Sequence, residues 1–343
     1  MPPQHKSIAN SAKCWIRVLK KIKVIPLAEE SYGVRSMCTC VETSDTKILL
    51  DAGASLAPKR LGYPPHPKEY QALAECRQRI SKTAEKADIV TISHYHFDHH
   101  TPSYTDWFTN WSSAETAKKI YKGKVVLAKS YRSMINASQR RRGWMFKKTG
   151  GSHAKRLETA DGRTFEFEKT QLRFSKPVFH GPENSELGWI LMLTIEFADE
   201  KVVFASDVQG PMHTPTLTKI LAENPQLVII GGPPTYLAGF RVKDEDIEQG
   251  MQNLKSLVEN VPTTILEHHT LRDEKWRSLS QPIFEAATER GHRVLTAAEF
   301  SGTKNNFLEF RRRQLFEMEP PSSAFEKWMK LPLPKRKLTK PPI

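Results

Sequence analysis

The 343-residue sequence predicts an α/β protein folded as an αββα sandwich: two mixed β-sheets packed face to face, with helices on the outer faces. Three observations carry that expectation. Short apolar or alternating runs of strand length come in two sets along the chain. Helical stretches separate the later strands of each set. Histidines and aspartates stand just past several of the apolar runs, which gathers them on one rim of a sandwich.

Taken in order, "KIKVIPLA" (21–28) reads as a first strand. "SMCTCVET" and "TKILLDAG" flank a polar turn at Ser44-Asp45 and read as a hairpin. "LAPKRLGYPPHPKE" is a Pro-rich loop. Residues 69–87 carry Tyr70, Leu73, Ala74, Arg77 and Ile80 at helical spacing. "DIVTIS" is a short buried strand that ends at a histidine cluster. Residues 105–121 read as a loop and a helix, "KVVLA" as a strand, and 130–150 as a helical or irregular insert. "RTFEFEKTQLRFSKPVFHG" and "WILMLTIEFADEKVVFASD" alternate or run apolar around polar turns, as in a second, mostly antiparallel sheet. "TPTLTKILAENP" is a helix and "QLVIIGGPP" a strand. Residues 244–261 form a helix with acids in its first turn. "TTILEHHTLRD" is a last strand ending in two histidines, followed by the helix "SLSQPIFEAATERG" and by "HRVLTAAEF". The expected organisation is a basic N-terminal extension (1–21), one catalytic domain (22–314) and a poorly packed Pro/Lys-rich C-terminal tail (315–343).

The net charge of +14 is unevenly placed. Residues 1–23, 138–156 and 327–343 hold six, seven and six cations with no acid. The internal run, "SQRRRGWMFKKTGGSHAKR", interleaves aromatics with cations. It suits a polyanion partner, either a nucleic acid or a phosphorylated small molecule. The apolar runs are too short to span a membrane. The N-terminus lacks a long apolar stretch of secretory type, and is read as a targeting extension or a consequence of start-codon choice. Cys14, Cys38, Cys40 and Cys76 form no paired motif, which fits buried thiols in a reducing cytoplasm. Neither a membrane partner nor an oligomeric state is indicated.

"SHYHFDHHTPS" (93–103) packs His94, His96, Asp98, His99 and His100 into seven positions. Such a cluster repels itself if the imidazoles are charged, and bound metal holds them neutral. One loop cannot wrap two ions. Further ligand types stand past other strands: His180 after "KPVF", Asp207 after "VVFAS", and His268 and His269 after "TTIL". Imidazole suits zinc, iron or manganese, and a carboxylate can bridge a second ion. His5, His66, His153, His213 and His292 lack this placement and read as surface or core residues.

The order H-x-H-x-D-H, a later histidine, an aspartate after an apolar strand and a final histidine resembles the metallo-β-lactamase superfamily. "ILLDAG" (48–53) is similar to the early strand of that superfamily, which ends in Asp-x-Gly. "PLAEESYGVRSM", "SLAPKRLGYPPHP", "SHYHFDHHTPS" and "SDVQGP" look closest to an uncharacterised archaeal group of predicted metal-dependent hydrolases. The resemblance implies a metallo-β-lactamase fold and two divalent metal ions, zinc first, with manganese or iron as alternatives. It implies that His94, His96 and His180 hold one ion, that Asp98, His99 and His268 hold the other, and that Asp207 bridges them. It implies Asp51 behind the ligands, fixing a histidine. "HHTLRD" matches an H-x-S-x-R ending if His268 is the ligand, with Thr270 and Arg272 in register; His269 is the competitor.

Two such ions, about 3.5–4 Å apart, share a hydroxide and attack an electrophilic centre. The resemblance therefore implies hydrolysis, with Asp98, His268 and His269 in the reaction. Whichever of His268 and His269 is not a ligand is one candidate proton donor, and His100 is another. The basic run points to a phosphoester or a nucleic-acid phosphodiester. A lactone or thioester of a small metabolite is the alternative, and a di-iron redox protein is a further one.

Overall fold

The computed structural model describes residues 19–343. Residues 1–18, most of the expected extension, lie outside the described residues. The first sheet is built from β1 (Lys23–Glu29), β2 (Met37–Glu42), β3 (Lys47–Leu50), β4 (Ile89–Ile92), β5 (Val125–Ala128) and β6 (Arg156–Thr159), in that spatial order. β1, β2 and β3 pair antiparallel; β3 to β6 pair parallel. The second sheet follows from β7 (Thr164–Phe167) and β8 (Thr170–Phe174). A two-stranded ribbon, β9 (Val178–Phe179) and β10 (Trp189–Ile190), intervenes. β11 (Leu193–Phe197), β12 (Glu200–Ser206), β13 (Leu227–Gly231), β14 (Thr263–Glu267) and β15 (Arg293–Leu295) complete the sheet, in the order β15-β14-β13-β12-β11-β8-β7. Its first half is antiparallel and β12 to β15 are parallel. The second sheet is thus mixed rather than mostly antiparallel.

Helices supply the parallel crossovers: α1 (Pro67–Lys86), α2 (Ala114–Tyr121) and α3 (Ala137–Lys148) on the first sheet, α4 (Thr214–Ala222) and α5 (Asp244–Asn260) on the second. Period-two alternation sorts side chains between layers. Ile48, Leu50, Val202 and Phe204 point into the core between the sheets. Leu49 turns outward against α1, while Val203 and Ala205 turn outward beneath α4 and α5. Each fully buried Ile, Leu or Phe contributes about 1.5–3 kcal/mol. Three apolar clusters, one between the sheets and one on each outer face, make the four layers of an αββα sandwich.

The segment 315–343 is not a loose tail. Ser322 caps a short helix, Ser323–Met329, whose Phe325 and Trp328 lie one turn apart and are buried against Tyr70. Trp328 Nε1 donates to the Thr339 carbonyl at 2.9 Å, which closes the segment on itself. Just before it, Arg312 forks onto the buried Glu69 carboxylate at 2.7 and 2.9 Å. Proline and lysine content hid an apolar pair at helical spacing. At the other end, the backbone N–H groups of Lys20, Lys21 and Ile22 donate to Glu200. Among the described residues, no helix is long and apolar enough to cross a membrane. Cys38, Cys40 and Cys76 are free and buried.

Candidate metal centre

The parallel strands of both sheets end at one rim, and the ligand-type residues start there. β3 ends at Asp51, β4 runs into Ser93-His94, β12 into Ser206-Asp207, and β14 into His268. Asp51, Ser206 and His268 all adopt left-handed backbone, with φ of 43°, 54° and 64°. Non-glycine residues rarely adopt that conformation, and a fixed surround is needed to hold three of them. Each turns the chain sharply off its strand and into the rim. Gly53 shows why the early motif needs its glycine: a Cβ there would collide with the backbone nitrogens of His99 and His100. The loop carrying Asp98, His99 and His100 therefore rests directly on the backbone of residue 53.

His94, His96, His180 and Asp207 each place one ligand atom within 4.8 Å of the others. Asp98, His99 and His268 form a second such group, and Asp207, His268 and His269 a third. Asp207 joins them. Its Oδ2 lies 2.6 Å from His180 Nε2, 3.5 Å from His268 Nε2 and 3.9 Å from His99 Nε2. His94, His99, His180, Asp207 and His268 are buried; His96, Asp98 and His269 line the partly exposed side.

Asp51 organises the back of the cluster. Its Oδ1 accepts from Ser93 N at 2.7 Å, and its Oδ2 from Ser93 Oγ at 2.5 Å, His99 Nδ1 at 2.8 Å and Ser206 Oγ at 3.1 Å. Ser93 Oγ also lies 2.9 Å from His94 Nδ1. One carboxylate thus orients His99 directly and His94 through a hydroxyl. With His99 Nδ1–H fixed on Asp51, His99 Nε2 points into the cluster, buried and without a hydrogen-bond partner. A buried lone pair left this way suits a metal ligand. On the opposite side the Arg272 guanidinium lies against both rings: Nη2 is 3.0 Å from His268 Nδ1 and 3.2 Å from its Nε2, and Nη1 is 3.1 Å from His269 Nδ1, while Nε donates to Glu30 at 2.5 Å.

Burial sets the protonation of the histidines. Desolvation drives His96 down to about 3, His269 to about 4, and His94 and His268 well below the ordinary range; neighbouring cations reinforce this. Burial also pulls His99 down, but its bond to Asp51 and the Asp98 and Asp207 carboxylates outweigh it and leave the group at about 8. Burial pushes Asp98 and Asp207 up, and the surrounding histidines overcome it and hold both below the usual carboxylate range. At neutral pH His94, His96, His268 and His269 are neutral beside ionised Asp98 and Asp207, and His99, at about 8, would release its second proton as an ion binds; with that release the donor set fits a divalent cation.

The structure brings together all seven residues expected to hold metal, and Asp51 stands behind them as anticipated. His268 and His269 both reach Asp207, the latter at 3.2 Å. His268 is the buried one and also faces Asp98 at 3.6 Å, whereas His269 is part-exposed and lies 3.3 Å from the Tyr236 hydroxyl. His100 is a correction. Its Nδ1 binds the His96 carbonyl at 2.9 Å, and its ring packs among Tyr95, Phe97 and Phe146, so it faces the apolar core rather than the reaction site. Sequence reading missed Ser93, Ser206 and Glu30. The two serines carried a signal, each standing directly before the first ligand of its loop. Glu30 carried none, being 242 residues from the arginine it pairs with.

No protein-family model matches the chain. A UPF0282 protein of Methanopyrus kandleri is 44% identical over 294 residues, covering 86% of this chain and 99% of that protein. UPF0282 proteins of Thermococcus gammatolerans and Methanocaldococcus jannaschii are 43% and 41% identical, over 87% and 86% of this chain and 96% of each relative. Among solved structures, the metallo-β-lactamase fold protein YhfI of Bacillus subtilis is 16% identical with a TM-score of 0.44, covering 84% of this chain and 99% of that one. Isothiocyanate hydrolase from Delia radicum gut bacteria gives 13% and 0.47, covering 80% and 95%. Human tRNase Z, short form, gives 11% and 0.40, covering 71% and 91%.

Proposed function

This chain belongs to the UPF0282 protein family, and from the site it carries we propose that it is a metal-dependent hydrolase of phosphoesters. The observation that carries the proposal is the convergence of seven ligand-type side chains from strand ends of both sheets, with Asp207 at the centre. In this reading His94, His96 and His180 hold one divalent ion, Asp98, His99 and His268 hold a second, and Asp207 serves both. Ions so held supply a water acidified toward neutral pH and positive charge for the developing oxyanion.

The protein's own residues do the rest. Asp51 keeps the His99 proton on Nδ1 and frees Nε2. Arg272 fixes the ring planes of His268 and His269. His269, on the partly exposed side, places Nε2 where a proton can pass to a leaving group beside Asp207. Phosphoesters are favoured over neutral substrates because the cationic helix α3 stands next to the metal loop. Zinc is the first choice of metal, with manganese and iron next.

The experiment is hydrolysis of bis(p-nitrophenyl) phosphate by chelator-stripped protein with zinc or manganese added back, alongside a lactone and a thioester. Metal-restored diester cleavage, abolished by Asp98→Ala with far-ultraviolet circular dichroism unchanged, supports the proposal. Metal-restored cleavage of the lactone or thioester alone overturns the phosphoester assignment and keeps the hydrolase. Unchanged turnover in Asp98→Ala overturns the site assignment.

A further inference from the structure

The seven cations of 138–156 do not act as one patch. Arg140, Arg141, Lys147 and Lys148 are exposed on α3, Lys155 is exposed beyond it, and Arg156 pairs with Glu158 on the edge strand. Arg142 alone turns toward the metal loop. Its guanidinium lies 4.5 Å from the centre of the Phe97 ring, and Nη1 makes one long bond, 3.4 Å, to the Tyr95 carbonyl. Tyr95 and Phe97 are the residues between the ligand-type side chains of "HYHFD".

The helix is fastened in this place by features with no other evident use. Gln139 is fully buried; it accepts from Tyr95 N at 3.0 Å and donates to the Leu187 carbonyl at 2.7 Å. Asn136, which caps α3, donates to the Glu186 and Leu187 carbonyls. At Gly143 a Cβ would meet the Tyr95 ring and Tyr131 Cβ, each at 2.6 Å, so a glycine is what lets the helix lie this close to the metal loop and to Tyr131. Gln139 and Arg142 are three apart and share a helix face. The anchor and the cation therefore come as a unit.

The buried arginines, unlike the half-buried Arg142, have their donors taken up. Arg77 binds Asn110, Thr101 and Ala54, Arg312 binds Glu69, and Arg272 binds Glu30 and the two histidines. Among the described residues Arg142 forms no ion pair within 4 Å and one long hydrogen bond, to the Tyr95 carbonyl, while its charge is felt by Asp98 and His96 in the metal loop. A guanidinium in this state matches the paired oxygens of a phosphate.

We propose that Arg142 is the specificity-determining residue of the centre, gripping the anionic oxygens of a phosphate group while α3 holds it in register with the metal loop. This rests on the hydrolase reading and deepens it, since it makes negative charge on the substrate a requirement. A nucleic-acid strand and a small phosphorylated metabolite share that chemistry.

The test uses Arg142→Met, which keeps an apolar stem over Phe97, and Arg142→Lys. Two readouts are needed: kcat/KM for bis(p-nitrophenyl) phosphate against neutral p-nitrophenyl acetate, and calorimetric titration of inorganic phosphate into zinc-loaded protein. The expected loss in Arg142→Met is about 10- to 100-fold for the diester, the range of one charge-assisted hydrogen bond. The neutral ester should lose at least about tenfold less, phosphate affinity should fall with the diester, and Arg142→Lys should recover part of both. Equal losses on the two esters would reduce Arg142 to a structural residue and overturn the proposal. So would phosphate binding that is undetectable in the parent protein or unchanged in Arg142→Met. If the parent cleaves no phosphodiester, the phosphoester reading fails, yet the phosphate titration still decides the role of Arg142. The Arg140→Ala/Arg141→Ala pair separates the sources: weaker binding of a single-stranded oligonucleotide with phosphate binding retained indicates a polymer, and equal binding indicates a small metabolite.

Discussion

Replacing Asp51 by Asn tests whether one carboxylate sets the chemistry of the ligands in front of it. Residue 51 has φ of 43°, and Asn tolerates left-handed backbone well, so the turn survives the change. The Ser93 N bond to Oδ1 at 2.7 Å also survives, because the amide keeps an oxygen. On the other side an NH2 replaces Oδ2. Ser93 and Ser206 can rotate their hydroxyls to accept from it. His99 cannot: its Nδ1–H, 2.8 Å away, would meet a donor. The ring must move its proton to Nε2, the atom that points into the cluster without a partner. Loss of such an orienting partner typically costs 10- to 100-fold in metal affinity, or about 1.4–2.7 kcal/mol. The metal-free protein should lose about 1.5–3 kcal/mol with the charge-assisted bonds. Competition titration of zinc against a chromophoric chelator measures the first, and thermal unfolding of chelator-treated protein the second. Wild-type zinc affinity in Asp51→Asn, with the protein folded, would refute the claim that Asp51 orients a ligand.

Three other outcomes are expected. Gly53→Ala drives a methyl into the backbone of residues 98–100 and should cost about 2–4 kcal/mol together with metal content, read by melting temperature and elemental analysis. Trp328→Ala should cost about 3–5 kcal/mol in a denaturant titration, because the indole is buried against Tyr70 and Phe108; a loose tail would show no change. His66 caps α1 through Nδ1, which accepts from Lys68 N, and burial lowers its pKa from 6.5. The unfolded chain therefore takes up the proton first, so stability is full above about pH 6.5 and declines as pH falls below it. His66→Asn should keep the cap and make that decline shallower without abolishing it, since the depressed site histidines contribute to it as well, as unfolding titrations between pH 5 and 7 would show.

How much of this was legible in the sequence depends on the range over which each feature acts. Strand alternation is local, so Ile48, Leu49 and Leu50 announced their two faces, and the parallel strands announced their ends by the polar residues that follow. The density of ligand types in "SHYHFDHH" was equally local. The residues by themselves did not rank those histidines; the resemblance made His99 a ligand and left His100 as a proton donor. His99 and His100 look alike on paper, yet both backbone N–H groups fold onto the His96 carbonyl, at 3.0 and 3.1 Å, in a tight turn that sends one ring to Asp51 and the other among Tyr95, Phe97 and Phe146. "RRRGW" posed the same problem for three arginines. The residue that resolves it is Gly143, because a helix needs a glycine in its middle only where something lies against it. Here the neighbours are Tyr95 of the metal loop and Tyr131, and the arginine beside the glycine is the one that reaches the metal loop. Within a run of like charges, the interruption carries more information about the site than the charges do.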